Sequence, residues 1–110
     1  MSRAMTSPLI HTGAGDLELA AVLHALSDPL RLDIVRMLAS EGPRTCGTFT
    51  VPVAKSTLSH HFRVLREAGV TLTEPDGTQR VVSLRRDDLD ARFPGLLDAV
   101  LERQPAATVR

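Results

Sequence analysis

The chain has no tryptophan and no tyrosine, so its core must be built mainly from Leu, Val and Ala, with three Phe residues as the only large aromatics. Its single cysteine, Cys46, excludes an intrachain disulfide, which suits a reducing compartment, and we expect a cytoplasmic protein. No apolar run approaches the roughly 18–20 residues of a membrane-spanning helix. Residues 1–15 lack the basic and apolar regions of a signal peptide.

The chain also lacks a net charge, since its 13 basic residues balance its 13 acidic ones. Basic charge is concentrated in residues 42–66 and 78–86, which contain no Asp or Glu, whereas the flanking segments are acidic on balance. A neutral protein with this distribution can still present a basic face to phosphates. The 110 residues allow one thin core, which dimerisation would enlarge. We expect a flexible arm over residues 1–15, a folded domain over 16–103 and a tail over 104–110.

Capping residues and apolar spacing predict two helices in the first part of the chain. Asp16 is expected to cap the first helix. Asp28 and Pro29 are expected to begin the second, which the Gly42-Pro43 pair ends. Residues 45–53 are rich in β-branched side chains and contain a proline. Helix propensity is therefore poor there, and we expect at most one helical turn near residues 45–49.

The second part of the chain predicts a strong helix, a β-hairpin and further helix. Ser56 or Thr57 is expected to cap a helix that runs to Ala68, with Gly69 in the left-handed position after it. Turn residues 74–78 separate two β-prone runs, 70–73 and 79–84, and Asp87 is expected to cap the next helix. This order is typical of a mainly α (α+β) winged helix-turn-helix fold with a two-stranded hairpin as the wing.

The helix after residue 55 has one apolar and one polar face. Leu58, Phe62 and Leu65 share the apolar face, and His61 flanks it, so we interpret His61 as a structural residue. Hydroxyls and basic groups on the other face suit phosphates and base edges, although charge alone would favour an ordinary solvated surface. The capped helix and the basic hairpin behind it favour DNA. The predicted DNA contacts are Lys55, Ser56, Thr57, Ser59, His60, Arg63 and Arg80.

Two motifs carry a family resemblance: residues 25–38, ALSDPLRLDIVRML, and residues 56–69, STLSHHFRVLREAG. Together they resemble the ArsR/SmtB family of bacterial winged-helix regulators over residues 17–101. The resemblance implies a homodimer formed by the first and last helices, a recognition helix at 56–68 and a wing at 70–84. It also implies promoter binding that blocks or, less commonly, assists transcription. Dimer symmetry then predicts a palindromic operator in double-stranded DNA, with half-sites about one helical turn apart.

The chain departs from this family at the known metal-site motifs. Cys46 stands alone where some members have Cys-x-Cys, and no histidine follows His61 on the last helix. We interpret Cys46 as a packed residue rather than a reactive thiol. Nickel or zinc could instead bind a set of imidazoles and carboxylates near the expected dimer interface. Those candidates, each of which has an ordinary structural interpretation as well, are His11, Asp16, Glu18 and His24.

Two other classes of function are alternatives to a DNA-binding regulator. The neutral charge and the irregular residues 45–53 would suit a winged-helix interaction protein, or a co-regulator that needs a partner protein or an atypically bound metal to act on DNA. An enzyme is disfavoured because Ser59, His60 and His61 are adjacent on a helix and point in different directions. No phosphate loop, metal-hydrolase motif or dinucleotide motif occurs either.

Overall fold

The computed structural model describes residues 11–102, which fold as five helices and one antiparallel sheet of three strands. The helices are α1 (Leu19–Ala25), α2 (Pro29–Glu41), α3 (Lys55–Glu67), α4 (Arg86–Arg92) and α5 (Leu96–Glu102). The strands are β1 (Arg44–Thr45), β2 (Thr71–Asp76) and β3 (Gln79–Leu84). Apart from β1, this is the order of elements that the sequence predicts, with the hairpin of β2 and β3 following α3.

Helix α2 begins and ends where the local sequence predicts. The Asp28 carboxylate accepts hydrogen bonds from the backbone N–H groups of Leu30 (2.9 Å) and Arg31 (3.0 Å), and Pro29 follows at the first helical position. These bonds, above all the one from Arg31, hold the pKa of Asp28 below its ordinary value because they favour the ionised carboxylate. At the other end Gly42 has a φ of 84°, which a residue with a side chain rarely adopts.

Helix α3 begins two or three residues earlier than the predicted caps imply, and neither Ser56 nor Thr57 caps it. The extended backbone of Ala54 (φ −66°, ψ 155°) takes the cap position without a side-chain hydrogen bond, so both hydroxyl residues already lie inside the first turn. The predicted C-terminus is confirmed. Gly69 has a φ of 85°, and the N–H groups of Gly69 and Val70 donate to the carbonyls two and three positions before the C-cap, which closes the helix.

Gly69 also has no room for a side chain. A Cβ atom at this position would lie 2.0 Å from Cδ2 of Leu17, which is completely buried. The close approach brings the segment before α1 against the end of α3. Glycine at position 69 therefore serves both the left-handed turn and the packing of the two segments.

The hairpin is longer and its loop shorter than predicted. β2 continues to Asp76 and β3 starts at Gln79, which leaves Gly77 (φ 66°) and Thr78 as a two-residue loop. The predicted turn over residues 74–78 is therefore wrong at its start, where Glu74, Pro75 and Asp76 belong to the strand. Proline is tolerated there because β2 is an edge strand of the sheet, where a missing N–H breaks no second ladder.

The sheet has a third strand that the sequence does not predict. β1 pairs with β3, with Arg44 opposite Val82 and Thr45 opposite Val81. A strand of two residues is too short to show the alternation by which strands are recognised. The 3₁₀ turn Cys46–Thr48 follows it directly, in agreement with the single helical turn expected near residues 45–49.

The predicted caps of α1 and α4 are wrong. Asp16 lies in a 3₁₀ turn, Ala14–Asp16, and α1 begins only at Leu19, after Glu18. α4 begins at Arg86, so Asp87 falls inside its first turn rather than before it. A carboxylate in the first turn still interacts favourably with the positive end of the helix dipole, which explains the acidic residue at this position.

The buried apolar side chains form one core between the helices and the sheet. α3 contributes Phe62 and Leu65, α2 contributes Ile34 and Val35, and the sheet contributes Val82. Over residues 11–102, no helix has the length and the apolar character needed to cross a membrane.

The folded domain starts before the predicted boundary at residue 16. The N–H of Thr73 donates to Nε2 of His11 (3.0 Å), and the hydroxyl of Thr12 donates to the carbonyl of Glu67 (2.7 Å). Arg85 donates to the Thr12 carbonyl at 2.6 Å. Long-range hydrogen bonds therefore hold His11 and Thr12 against the domain, contacts that an arm over residues 1–15 did not predict. The remainder of the predicted arm and the predicted tail, residues 1–10 and 104–110, lie outside the described residues.

Candidate nucleic-acid interface

The polar face of α3 points away from the core. Phe62 and Leu65 are buried, Leu58 is half-buried, and the opposite side of the helix is exposed. This confirms the orientation predicted from the helical spacing. Glu67 is exposed on this helix as well, at its C-terminal end. Six further exposed side chains, here called the α3 outer face, are Lys55, Ser56, Thr57, Ser59, His60 and Arg63. All six were predicted as DNA contacts.

Arg80 joins this surface from the wing. It lies on β3, one residue after the start of the strand, and its side chain is exposed. Arg80, Lys55 and Ser59 line the same cavity, so the wing and the N-terminal part of α3 face one another there. The structure thus brings the seventh predicted DNA contact next to two of the other six.

The α3 outer face keeps its basic groups free of internal partners. Within residues 11–102, Lys55, Arg63 and Arg80 make no hydrogen bond and no ion pair. Residues 42–66 contain no Asp or Glu. Glu67 lies four residues after Arg63, and Glu74 and Asp76 lie on the strand that pairs with that of Arg80, but within the described range none of these carboxylates forms an ion pair with the three cations. Free cations on an exposed helix beside a hairpin are what a phosphate backbone requires.

Other arginines of the two basic segments are engaged inside the protein. Arg44 pairs with Glu41 (2.7 Å) and also donates to Thr48, whereas Arg85 pairs with Asp88 (3.0 Å). Arg86 forms ion pairs with two carboxylates, those of Asp90 and Asp98. Each of these three arginines has an acidic residue three or four positions away in the sequence, and this spacing could have predicted the ion pairs. The structure therefore divides the basic segments into structural arginines and the free cations of the proposed interface.

Arg31 anchors α3, and no local pattern predicts that its side chain is buried. Only 7% exposed, it donates from Nε to the carbonyl of Ala25 (2.7 Å) and from Nη2 to that of His24 (3.3 Å). Its Nη1 lies 3.0 Å from Nδ1 of His61 on α3. Since a guanidinium has only donors, Nδ1 of His61 must be the acceptor. The structural role predicted for His61 is confirmed.

The segment before α3 is held by aromatic packing. The rings of Phe49 and Phe62 meet edge to face, with centroids 5.1 Å apart and planes at 68°. The Arg44 guanidinium lies 5.1 Å from the centroid of the Phe49 ring. Cys46 packs against the same core and is partly buried, and its burial raises the pKa of its thiol. A thiol with a raised pKa agrees with a packed residue rather than a reactive one.

The residues considered for nickel or zinc do not form a site within the described part of one protomer. Residues 11–102 contain no group of three or more His, Cys, Asp or Glu side chains arranged to hold a metal ion. Nε2 of His11 already accepts the N–H of Thr73, and burial, followed by Arg66 and Arg85, lowers the pKa of His11. A site shared between two protomers by His11, Asp16, Glu18 and His24 stays a prediction.

Two helices packed in the core, a third helix with an exposed polar face and a hairpin that carries Arg80 beside it define a winged helix-turn-helix DNA-binding protein. The chain matches a helix-turn-helix domain family over residues 26–74. It is 40% identical over 84 residues to YceK of Bacillus subtilis, an uncharacterised HTH-type transcriptional regulator, covering 74% of this chain and 84% of that protein. It is 31% identical to an arsenical resistance operon repressor of Staphylococcus xylosus, covering 66% and 71%.

Solved structures give the same answer. The transcriptional repressor BigR of Xylella fastidiosa superposes with a TM-score of 0.62 at 30% identity, over 81% of this chain and 88% of that chain. An ArsR family transcriptional regulator superposes with a TM-score of 0.60 at 24% identity, over 74% and 90%, which supports the fold. The chain belongs to the ArsR/SmtB family of winged-helix proteins. It is a DNA-binding transcriptional regulator and not an enzyme.

Proposed function

We propose that the chain is a homodimeric repressor that recognises a palindromic operator through the α3 outer face and Arg80. The observation that carries the proposal is the exposed helix face whose cations have no partner within residues 11–102. Repression is favoured because two of the similar proteins, BigR and the arsenical resistance operon repressor, bear that name. Binding to a chromosomal operator would place the protein in the cytoplasm.

The dimer is proposed from exposed apolar surface on α1. Leu19 and Leu23 are each 46% exposed and lie four residues apart, so they form one apolar stripe on the helix. On α5, Leu96, Val100 and Leu101 are only partly buried. A second copy that covered α1 and α5 would remove this surface from water, which the thin core of a 110-residue chain favours.

Selection of bound sequences from a random duplex library tests the proposal. We expect enrichment of a palindrome whose half-sites are about one helical turn apart. Affinity for the selected duplex should fall steeply with salt, with a slope of about −0.9 in log K against log salt for each phosphate contact. Failure to enrich any sequence, together with no affinity at low salt, would favour the interaction-protein alternative that the neutral net charge motivates.

Arg63→Ala tests the α3 outer face directly. Loss of a base contact should weaken operator binding by about 1–3 kcal/mol and should weaken nonspecific duplexes less. An equal loss on every duplex would assign Arg63 to a phosphate instead. Arg36→Ala is the matched control. Arg36 lies on α2 and pairs with Asp33, so this substitution also removes one positive charge, but at a position away from α3.

Control of the repressor by a metal remains a separate proposal. With one cysteine and no histidine after His61, the chain lacks the usual metal-site motifs of its family. Calorimetric titration of the dimer with Ni²⁺ and Zn²⁺ tests a site formed by His11, Asp16, Glu18 and His24. Heat of binding that disappears in a His24→Ala variant would support it, and the absence of heat in both titrations would end it.

A further inference from the structure

A cavity of about 380 Å³ lies between the 3₁₀ turn after β1, helix α3 and the hairpin. This volume is within the range of about 300–1,000 Å³ that small-molecule sites occupy. Lys55, Ser59 and Arg80, which belong to the proposed DNA-binding surface, also line it. The cavity therefore extends from the proposed interface toward the core.

The floor of the cavity is apolar and aromatic. Phe49 and Phe62, which are 7% and 9% exposed, present their edge-to-face pair, and Leu58 lies beside them. The lining thus contains flat apolar surface at depth, where a ring or a branched hydrocarbon could be buried. A phosphate of the DNA backbone has no apolar part with which to cover such a floor.

The rim of the cavity is cationic. Lys55, Arg66 and Arg80 line it, and no acidic residue does. Lys55 and Arg80 have no ion pair or hydrogen bond in the part of the chain that the structure describes. Nε of Arg66 is buried and likewise lacks a hydrogen-bond partner among those residues. A buried donor without an acceptor is costly, so an incoming anionic group would gain from supplying one.

An apolar floor below a cationic rim specifies both parts of a ligand. We propose that this cavity binds a small organic anion, with a flat apolar body on Phe49 and Phe62 and a carboxylate or sulfonate group at Arg66 and Arg80. The anion is an effector of the regulator, and this part of the inference rests on the proposed function. Arg80 serves both ligands, and Lys55 of the proposed DNA-binding surface lines the same cavity, so the anion and the operator compete for the same protomer. Binding of either one must weaken the other by the same factor.

Anilinonaphthalene sulfonate is a suitable probe, because it joins an aromatic body to one sulfonate. The chain contains no Trp or Tyr, so the protein adds almost no fluorescence of its own to the increase measured for the bound probe. We expect saturable binding to the dimer and much weaker binding of phenylnaphthylamine, which has the same rings without the charge. Equal binding of the two compounds, or no saturable binding, would overturn the proposal.

Arg66→Gln separates the cavity from the DNA-binding face, because Arg66 is not one of the predicted DNA contacts. Loss of one charge-assisted hydrogen bond should weaken the probe about tenfold. The operator affinity should be unchanged. Arg36→Gln is the matched control and should alter neither. Arg80→Gln, at an exposed position, should weaken probe and operator together. Probe affinity unchanged in both Arg66→Gln and Arg80→Gln would refute the assignment.

Cys46 reports where the probe binds. It is the only cysteine of the chain and it lines the cavity. The assay is alkylation of Cys46 by iodoacetamide, followed by mass spectrometry. The reaction is run at alkaline pH, because burial raises the pKa of this thiol and the thiolate is the reactive form. The rate of alkylation should fall severalfold when the probe saturates the protein. An unchanged rate with the probe bound would place it elsewhere, for example on the apolar stripe of α1, and would contradict the proposal.

The last experiment measures operator affinity with and without the probe. A probe concentration that saturates the wild type should lower its operator affinity, and the same concentration should have a smaller effect in Arg66→Gln. If the protein binds no duplex at all, the proposed function fails, while the fluorescence and alkylation results still decide the cavity. If it binds duplex and probe at once without mutual effect, the effector role fails although DNA binding stands.

Discussion

Replacement of the buried Arg31 should cost the domain a large part of its stability. In Arg31→Ala, the Ala25 carbonyl and Nδ1 of His61 lose donors at 2.7 and 3.0 Å, and the His24 carbonyl loses a longer bond at 3.3 Å. Hydrogen bonds to charged groups contribute about 1.5–3 kcal/mol each. Because the third bond is long, we count two, which gives a destabilisation of about 3–6 kcal/mol.

This loss is measurable against a total stability of about 5–15 kcal/mol for an ordinary domain. The assay is urea unfolding followed by far-ultraviolet circular dichroism, since the chain has no Trp for fluorescence. Arg36→Ala on the same helix is the control. Its side chain is 39% exposed and pairs with Asp33 at 3.3 Å. Such a surface pair contributes at most about 1 kcal/mol.

A double-mutant cycle isolates the contact between α2 and α3. If Nη1 of Arg31 donates to Nδ1 of His61, Arg31→Ala combined with His61→Ala should destabilise less than the two single changes added together. The coupling expected for residues in direct contact is about 0.5–3 kcal/mol. Strict additivity would refute the contact, and a loss below about 1 kcal/mol in Arg31→Ala alone would refute the whole argument.

Three further predictions concern single residues. Gly69→Ala should destabilise by about 2–4 kcal/mol in urea unfolding, because it strains a positive φ and overlaps Leu17. Asp28→Ala should cost about 1 kcal/mol at neutral pH. That difference should vanish in acid, since the lowered pKa means the wild-type advantage is lost as pH falls through it. His11 must be neutral to accept from Thr73; with its pKa lowered, stability should fall as pH drops below about 6.5, and His11→Gln should flatten that dependence in thermal melts.

The departures from prediction share a physical cause. Ser56 and Asp87 are good capping residues by type, yet both helices begin earlier. Before α4, the N–H of Arg85 donates to the Val70 carbonyl (3.0 Å), a contact that a local pattern does not reveal. Strand β1 exists only because β3, almost forty residues later, offers Val81 and Val82 as partners. Propensity and capping describe a segment alone, and tertiary contacts can override them.

The sequence by itself determined the helical faces and several boundaries. Phe62 and Leu65 point inward and Arg63 points outward because a period of about 3.6 residues depends only on the helix. Asp28 and Gly69 mark helix ends through hydrogen bonds to their own neighbours.

The tertiary structure alone decided which basic side chains have no ion-pair partner, and it alone formed the cavity beside them. Arg31 became a buried anchor because α1 offers it a carbonyl and α3 offers it an imidazole. His11 joined the domain through Thr73, 62 positions along the chain. The cavity behind Arg80 exists because a loop, a helix and a hairpin meet there. Partners so distant in sequence leave no local pattern, since only the packed core brings them together.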